Sequence, residues 1–142
     1  MNLPARERGP KFFGDFVSMS DFKRKPNAHV SPAVEAMHRF IVWLVPTLEK
    51  FPRSQKFLLG DRIQMLALDV QDRLIEATYS RASANSLQYA NLGLEKLRLL
   101  VRLAFDLKHL DSRRYEFAAK EIDQVGKLIG GWRRAIRATP AS

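Results

Sequence analysis

The sequence predicts an all-α protein built as one helical bundle, and three observations carry that reading. A chain of 142 residues has room for one domain and too little for two ordinary ones. Hydrophobic residues make up 46%, enough for a core, while a mean hydropathy of −0.26 and the lack of any 18-residue apolar run argue against a membrane span. Along four segments after residue 30 the apolar residues recur at spacings of three and four, the period of one helix face.

The first helix begins at Ser31, a good N-cap, with Pro32 at the first helical position. Val34, Met37, Ile41, Leu44 and Leu48 then form its core stripe. Pro46 lies inside that stripe, and because the apolar spacing continues to Phe51 it predicts a kink and no termination. Phe51, Pro52, Arg53 and Ser54 form the turn. The second helix spans residues 54–81, with Leu59, Ile63, Leu66, Val70, Leu74 and Ala77 on one face and Asp69, Asp72 and Glu76 on another.

The third helix spans residues 85–110 with two apolar stripes. Leu87, Ala90, Leu94, Leu97, Val101 and Ala104 face the core, and Leu92, Leu99, Leu103 and Leu110 stand almost opposite. A helix in a small bundle has one inside, so the second stripe points to a subunit interface and a homo-oligomer. Between the stripes runs a polar strip of Glu95, Arg98, Arg102 and Asp106. Arg98 and Arg102 at i,i+4 repel unless neutralised, and the strip offers one acid to each. It suits equally an ion-pair network at the subunit interface and a partner-binding site.

The fourth helix starts near Asp111, with Leu110 and Tyr115 placed as a hydrophobic staple around that cap. Tyr115, Ala118, Ile122, Val125, Ile129, Trp132 and Ile136 keep the core pattern. Opposite them Arg113, Lys120, Lys127 and Arg134 stand seven residues apart, a basic ladder of roughly 32 Å at 1.5 Å per residue. Such a face can track a phosphate backbone, or it can be an ordinary solvated surface. Glu116 and Asp123 are spaced to neutralise its first half by i,i+3 pairing. Gly126, Gly130 and Gly131 cost roughly 1 kcal/mol each in a helix, so they imply either close packing by a neighbour or a helix end at Gly130.

The chain carries 24 Lys and Arg against 15 Asp and Glu, a net charge of +9, with a pI near 10.3. That balance favours polyanionic partners, nucleic acid first. The surplus sits at the two ends: residues 1–30 carry +3, residues 31–126 are nearly balanced, and Lys127, Arg133, Arg134 and Arg137 follow the last acid of the chain. With Lys120 these four are the candidate nucleic-acid contacts. No base-reading motif accompanies them, so binding without strong base specificity is expected. Residues 1–30, rich in Pro and Gly, read as a mobile extension whose Phe12, Phe13, Phe16 and Phe22 could stack on bases or dock on a neighbouring surface. Residues 31–138 are the bundle and 139–142 a tail.

Enzymatic chemistry finds little support. There are no cysteines, hence no disulfides, thiolate metal sites or Cys nucleophiles, and with no signal-like segment at the N-terminus a cytoplasmic location is expected. Glu35 and His38 spell half of a di-iron bundle motif, but no second Glu-x-x-His exists. His29 and His109 stand elsewhere, and Asp69, Asp72 and Glu76 have neither His neighbours nor a Gly-rich loop. No catalytic residue, metal or cofactor is expected.

Four pieces in order resemble a known family: Leu48-Glu49-Lys50-Phe51-Pro52-Arg53-Ser54 running into Leu59-Gly60-Asp61-Arg62-Ile63-Gln64, then Leu94-Glu95-Lys96-Leu97-Arg98, then Arg102-Leu103-Ala104, and Gly130-Gly131-Trp132. They resemble the accessory variability determinants of diversity-generating retroelements, within the four-helix-bundle family named after proteins encoded in intervening sequences of 23S ribosomal RNA genes. The resemblance covers residues 33–134. It implies an up-down-up-down four-helix bundle assembled as a positively charged homopentameric barrel. It also implies a protein without enzymatic activity that binds RNA and DNA and associates with the retroelement reverse transcriptase, the pair supporting mutagenic cDNA synthesis from a template RNA. On that reading Arg98, Arg102, Leu92, Leu99 and Leu103 face the polymerase or another subunit. The alternative is an oligomeric protein–protein scaffold of the same family with no direct nucleic-acid role.

Overall fold

The computed structural model describes residues 31–138; the expectations for residues 1–30 and 139–142 lie outside them. Four long helices make up most of this span: α1 (Pro32–Leu48), α2 (Asp61–Tyr79), α3 (Ser83–Asp106) and α4 (Ser112–Ala138). Among the described residues there is no strand, and no helix is long and apolar enough to cross a membrane. Each helix packs on its sequence neighbours and α4 closes back on α1, so the short connections make successive helices antiparallel around one core.

The start of α1 is capped as its sequence implies. The Ser31 hydroxyl accepts the Val34 amide at 3.1 Å, with Pro32 following in the first turn. Pro46 lies inside the helix, and the buried Thr47 hydroxyl donates to the Trp43 carbonyl at 2.9 Å. At α4, Asp111 is the cap: its Oδ1 accepts the Arg114 amide at 2.8 Å while its Oδ2 holds the Arg114 guanidinium at 2.8 Å.

Two boundaries depart from the sequence reading. The second helix is not continuous from residue 54. A short turn, Arg53–Gln55, leads into a π-helical segment, Lys56–Gly60, and only then into α2, which ends at Tyr79. A π turn holds an extra residue, and here it buries Leu59 while turning Phe57 and Leu58 out to solvent. The third helix stops at Asp106, because Lys108 takes a left-handed φ of 69° that no regular helix accommodates. Leu110 therefore leaves the outward stripe and folds under the bundle end, 7% exposed. His109 likewise is not on the third helix; it lies in the connection with its ring 5.5 Å from Phe51.

The core follows the predicted stripes except in α1, where Ala33, Ala36 and Phe40 are buried and the expected Val34 and Ile41 are only partly covered. Met37, Phe40, Ile63, Leu74, Leu87, Leu94, Leu97, Ile122 and Ile129 are essentially inaccessible, each such burial being worth roughly 1.5–3 kcal/mol. The helix pair α2–α3 approaches most closely at Gly93, where an added Cβ would lie 2.8 Å from Val70 Cγ2. Gly126 faces Leu94 on the α3–α4 side at an ordinary 3.5 Å. The helix runs on through Gly130 and Gly131 to Ala138, which rules out an end at Gly130.

Candidate nucleic-acid interface

Helix α4 turns its apolar stripe inward and so must present the opposite side to solvent. Arg113, Lys120, Lys127, Arg134 and Arg137 are exposed along α4, and Arg133 is half-buried. Among the described residues no carboxylate pairs with any of them. The expected neutralisation of the ladder by Glu116 and Asp123 does not form. Asp123 instead reaches across to α3 and pairs with Arg98, leaving Lys120 as free as Lys127. The Arg134 guanidinium lies back along its own helix, with Nη1 3.5 Å from where a Gly130 Cβ would stand and Nη2 3.8 Å from that of Gly131. The two glycines keep that helix surface bare beneath the charge.

The polar strip of α3 divides in two. Arg98 is held by Glu95 at 3.5 Å and by Asp123 of α4. Burial works against its charge, but the Asp123 hydrogen bond and the two carboxylates outweigh it and raise its pKa further. Arg102 is 66% exposed and meets only Asp106, at 3.8 Å. Arg98 is thus a brace between helices and Arg102 a surface charge, so the two are not one dry network.

Beside the strip the outward leucines are uncovered: Leu92 is 51% exposed, Leu99 62% and Leu103 43%. On α2, Met65 at 57% and Leu68 at 39% are exposed as well. Tyr89 is 56% exposed, with the Arg73 guanidinium 4.6 Å from its ring centroid. Three exposed leucines in register on the outer face of α3 are more than the single scattered apolar residues usual on a monomer's surface.

Among the described residues no cluster of His and acidic side chains could hold a metal ion. Glu35 and His38 are exposed on α1. Asp69, Asp72 and Glu76 line α2, where Glu76 pairs with Arg73 at 3.3 Å. Partial burial, followed by the charges of Asp69 and Glu76, raises the pKa of Asp72 against the opposing pull of Arg73.

No curated protein and no solved structure matches the chain. The family model described as bAvd-like matches residues 33–136, nearly the whole described bundle. The ladder of α4, the Arg98 brace and the exposed leucines all lie within it, and the chain belongs to the bAvd-like family of retroelement accessory proteins.

Proposed function

We propose that this protein is a non-enzymatic, basic nucleic-acid-binding subunit that associates with a retroelement reverse transcriptase and its template RNA and supports mutagenic cDNA synthesis. The observation that carries this reading is the row of exposed cations on α4, Lys120, Lys127, Arg134 and Arg137, which no carboxylate of the described residues pairs with. Phosphates are the partners such a row lacks, and charges on a helix face position a backbone without reading bases. Binding is therefore without strong base specificity, to RNA and to DNA. Arg133, half-buried beside the row, completes the set.

The outward leucines of α3, Leu92, Leu99 and Leu103, support a homo-oligomer. A cyclic pentamer, as the family resemblance implies, would bring several copies of the α4 ladder together and multiply their field. Arg98, pinned between α3 and α4, and the exposed Arg102 beside it are our candidates for contact with the polymerase or another subunit. The work belongs in the cytoplasm, where template and polymerase meet.

Co-expression with the reverse transcriptase and template RNA tests the reading. All three should co-purify, and the polymerase should still be retained after nuclease treatment. RNA lost from the complex when the α4 cations are removed would support the nucleic-acid role. RNA retained in full would favour the pure scaffold, a reading the exposed leucines also suit.

A further inference from the structure

Between the start of α3 and the end of α4 lies an open cleft of about 480 Å³, within the roughly 300–1,000 Å³ range of small-molecule sites. It runs into a second hollow of about 210 Å³, sharing Asn85, Gln88 and Arg133 with it. Three side-chain amides line the cleft, Asn85, Gln88 and Asn91, and none makes a hydrogen bond among the described residues. Tyr89 forms one wall, and Leu92, the first of the outward leucines, borders the cleft, which therefore opens at the end of that stripe. The Tyr89 ring also borders a hollow on the α2 side, where Arg73 packs on it. Arg133 crosses to the cleft from α4, and Arg137 lies one turn further along. The one carboxylate at the rim, Glu95, is taken up by Arg98.

We propose that this cleft is a subsite for one unpaired nucleobase of a single strand. The proposal rests on the nucleic-acid reading above and narrows it. An aromatic ring with a cation behind it is a stacking platform for any base, since every base has a π-face. Amides carry a donor and an acceptor side by side, and so meet the edge of a base whichever pattern it shows. Arg133 and Arg137 supply phosphate contacts at the mouth, continuous with the exposed cations of α4. In a duplex the bases are stacked and paired and cannot enter, so the cleft makes the protein favour single strands while remaining tolerant of sequence.

The test compares a labelled 12-nucleotide RNA with its duplex by fluorescence anisotropy at one salt concentration, with light scattering on every variant. The wild type should bind the single strand more tightly. Tyr89→Ala should lose between about 5- and about 150-fold on the single strand, with duplex affinity, salt slope and assembly unchanged. Tyr89→Phe should restore the loss, and Asn85→Ala with Gln88→Ala should cost a smaller factor on the single strand alone. Equal losses on both forms, no loss on either, or dissociation of the assembly by Tyr89→Ala would overturn the proposal and assign Tyr89 to structure or subunit contact. Intact duplex binding in that case leaves the role of the α4 cations standing, whereas wild-type protein that binds neither form overturns both.

Discussion

Two glycines on neighbouring helices should respond to the same substitution with opposite signs. At Gly93 a new methyl would stand 2.8 Å from Val70 Cγ2, against an ordinary carbon contact of about 3.5–4.0 Å. Val70 is 1% exposed and β-branched, so it has neither space nor a free rotamer to yield. The α2–α3 pair must open by roughly 0.7 Å instead, and overpacking of that kind costs about 1–3 kcal/mol. Helix propensity returns about 1 kcal/mol, leaving Gly93→Ala destabilised by about 1 kcal/mol. At Gly126 the nearest atom is Leu94 Cδ2 at 3.5 Å, a contact that needs no movement, so Gly126→Ala keeps the propensity gain and stabilises by somewhat under 1 kcal/mol. Urea unfolding at a single protein concentration measures both. A double-mutant cycle adds a check: in a Val70→Ala background Gly93→Ala should turn neutral or stabilising. Gly93→Ala as stable as Gly126→Ala would refute the close approach of α2 and α3.

Leu99→Glu should dissociate the assembly, because it places an unpaired charge in an apolar contact; multi-angle light scattering should return 16.3 kDa protomers, and an unchanged mass would contradict it. Asp72→Asn should raise stability at neutral pH. A carboxyl whose folded pKa is raised binds more protons folded than unfolded across the window between its ordinary and raised values, so stability falls as pH rises through that window and the full penalty applies above it. The gain should vanish once the pH drops below the ordinary aspartate range, and a gain that persists there would exclude this cause. Gln71 donates Nε2 to the Val34 carbonyl at 3.3 Å, while its buried Oε1 has no partner among the described residues; Gln71→Met should be neutral or stabilising by about 1 kcal/mol, and a clear loss in thermal unfolding would show that the amide is satisfied.

The helix phases were legible because one period governs them. The stripes of α3 and α4, the Ser31–Pro32 start and the Asp111 cap depend on residues within a few positions of one another. What could not be read depends on backbone exceptions or on partners from another helix. Leu59, Ile63 and Leu66 keep helical spacing through the π segment, so nothing in their pattern announces that Phe57 and Leu58 turn outward. Leu110 fits the outward stripe of α3 by count, and only the left-handed turn at Lys108 returns it to the core. Asp123 sits at pairing distance from Lys120 along α4, yet Arg98 of another helix captures it. The same holds for the candidate sites. The cations of α4 follow from local spacing, whereas the cleft is assembled from Asn85, Gln88 and Tyr89 on α3 and Arg133 on α4, which only the packed bundle brings together.

The central claim, that the free cations of α4 grip phosphate, is tested most directly by the salt dependence of RNA binding. The comparison is between wild type, Lys127→Ala with Arg134→Ala, and Arg98→Ala with Arg102→Ala. Each phosphate contact to a single strand contributes about −0.7 to the slope of log K against log salt. The α4 variant should therefore lose affinity on every sequence and flatten the slope by about 1.4 per protomer engaged, with its oligomeric mass intact. The α3 variant should keep its slope per bound protomer and lose assembly or polymerase association. An α4 variant that binds RNA with the wild-type affinity and slope while still assembled would contradict the account, and the ladder would be only a solvated face.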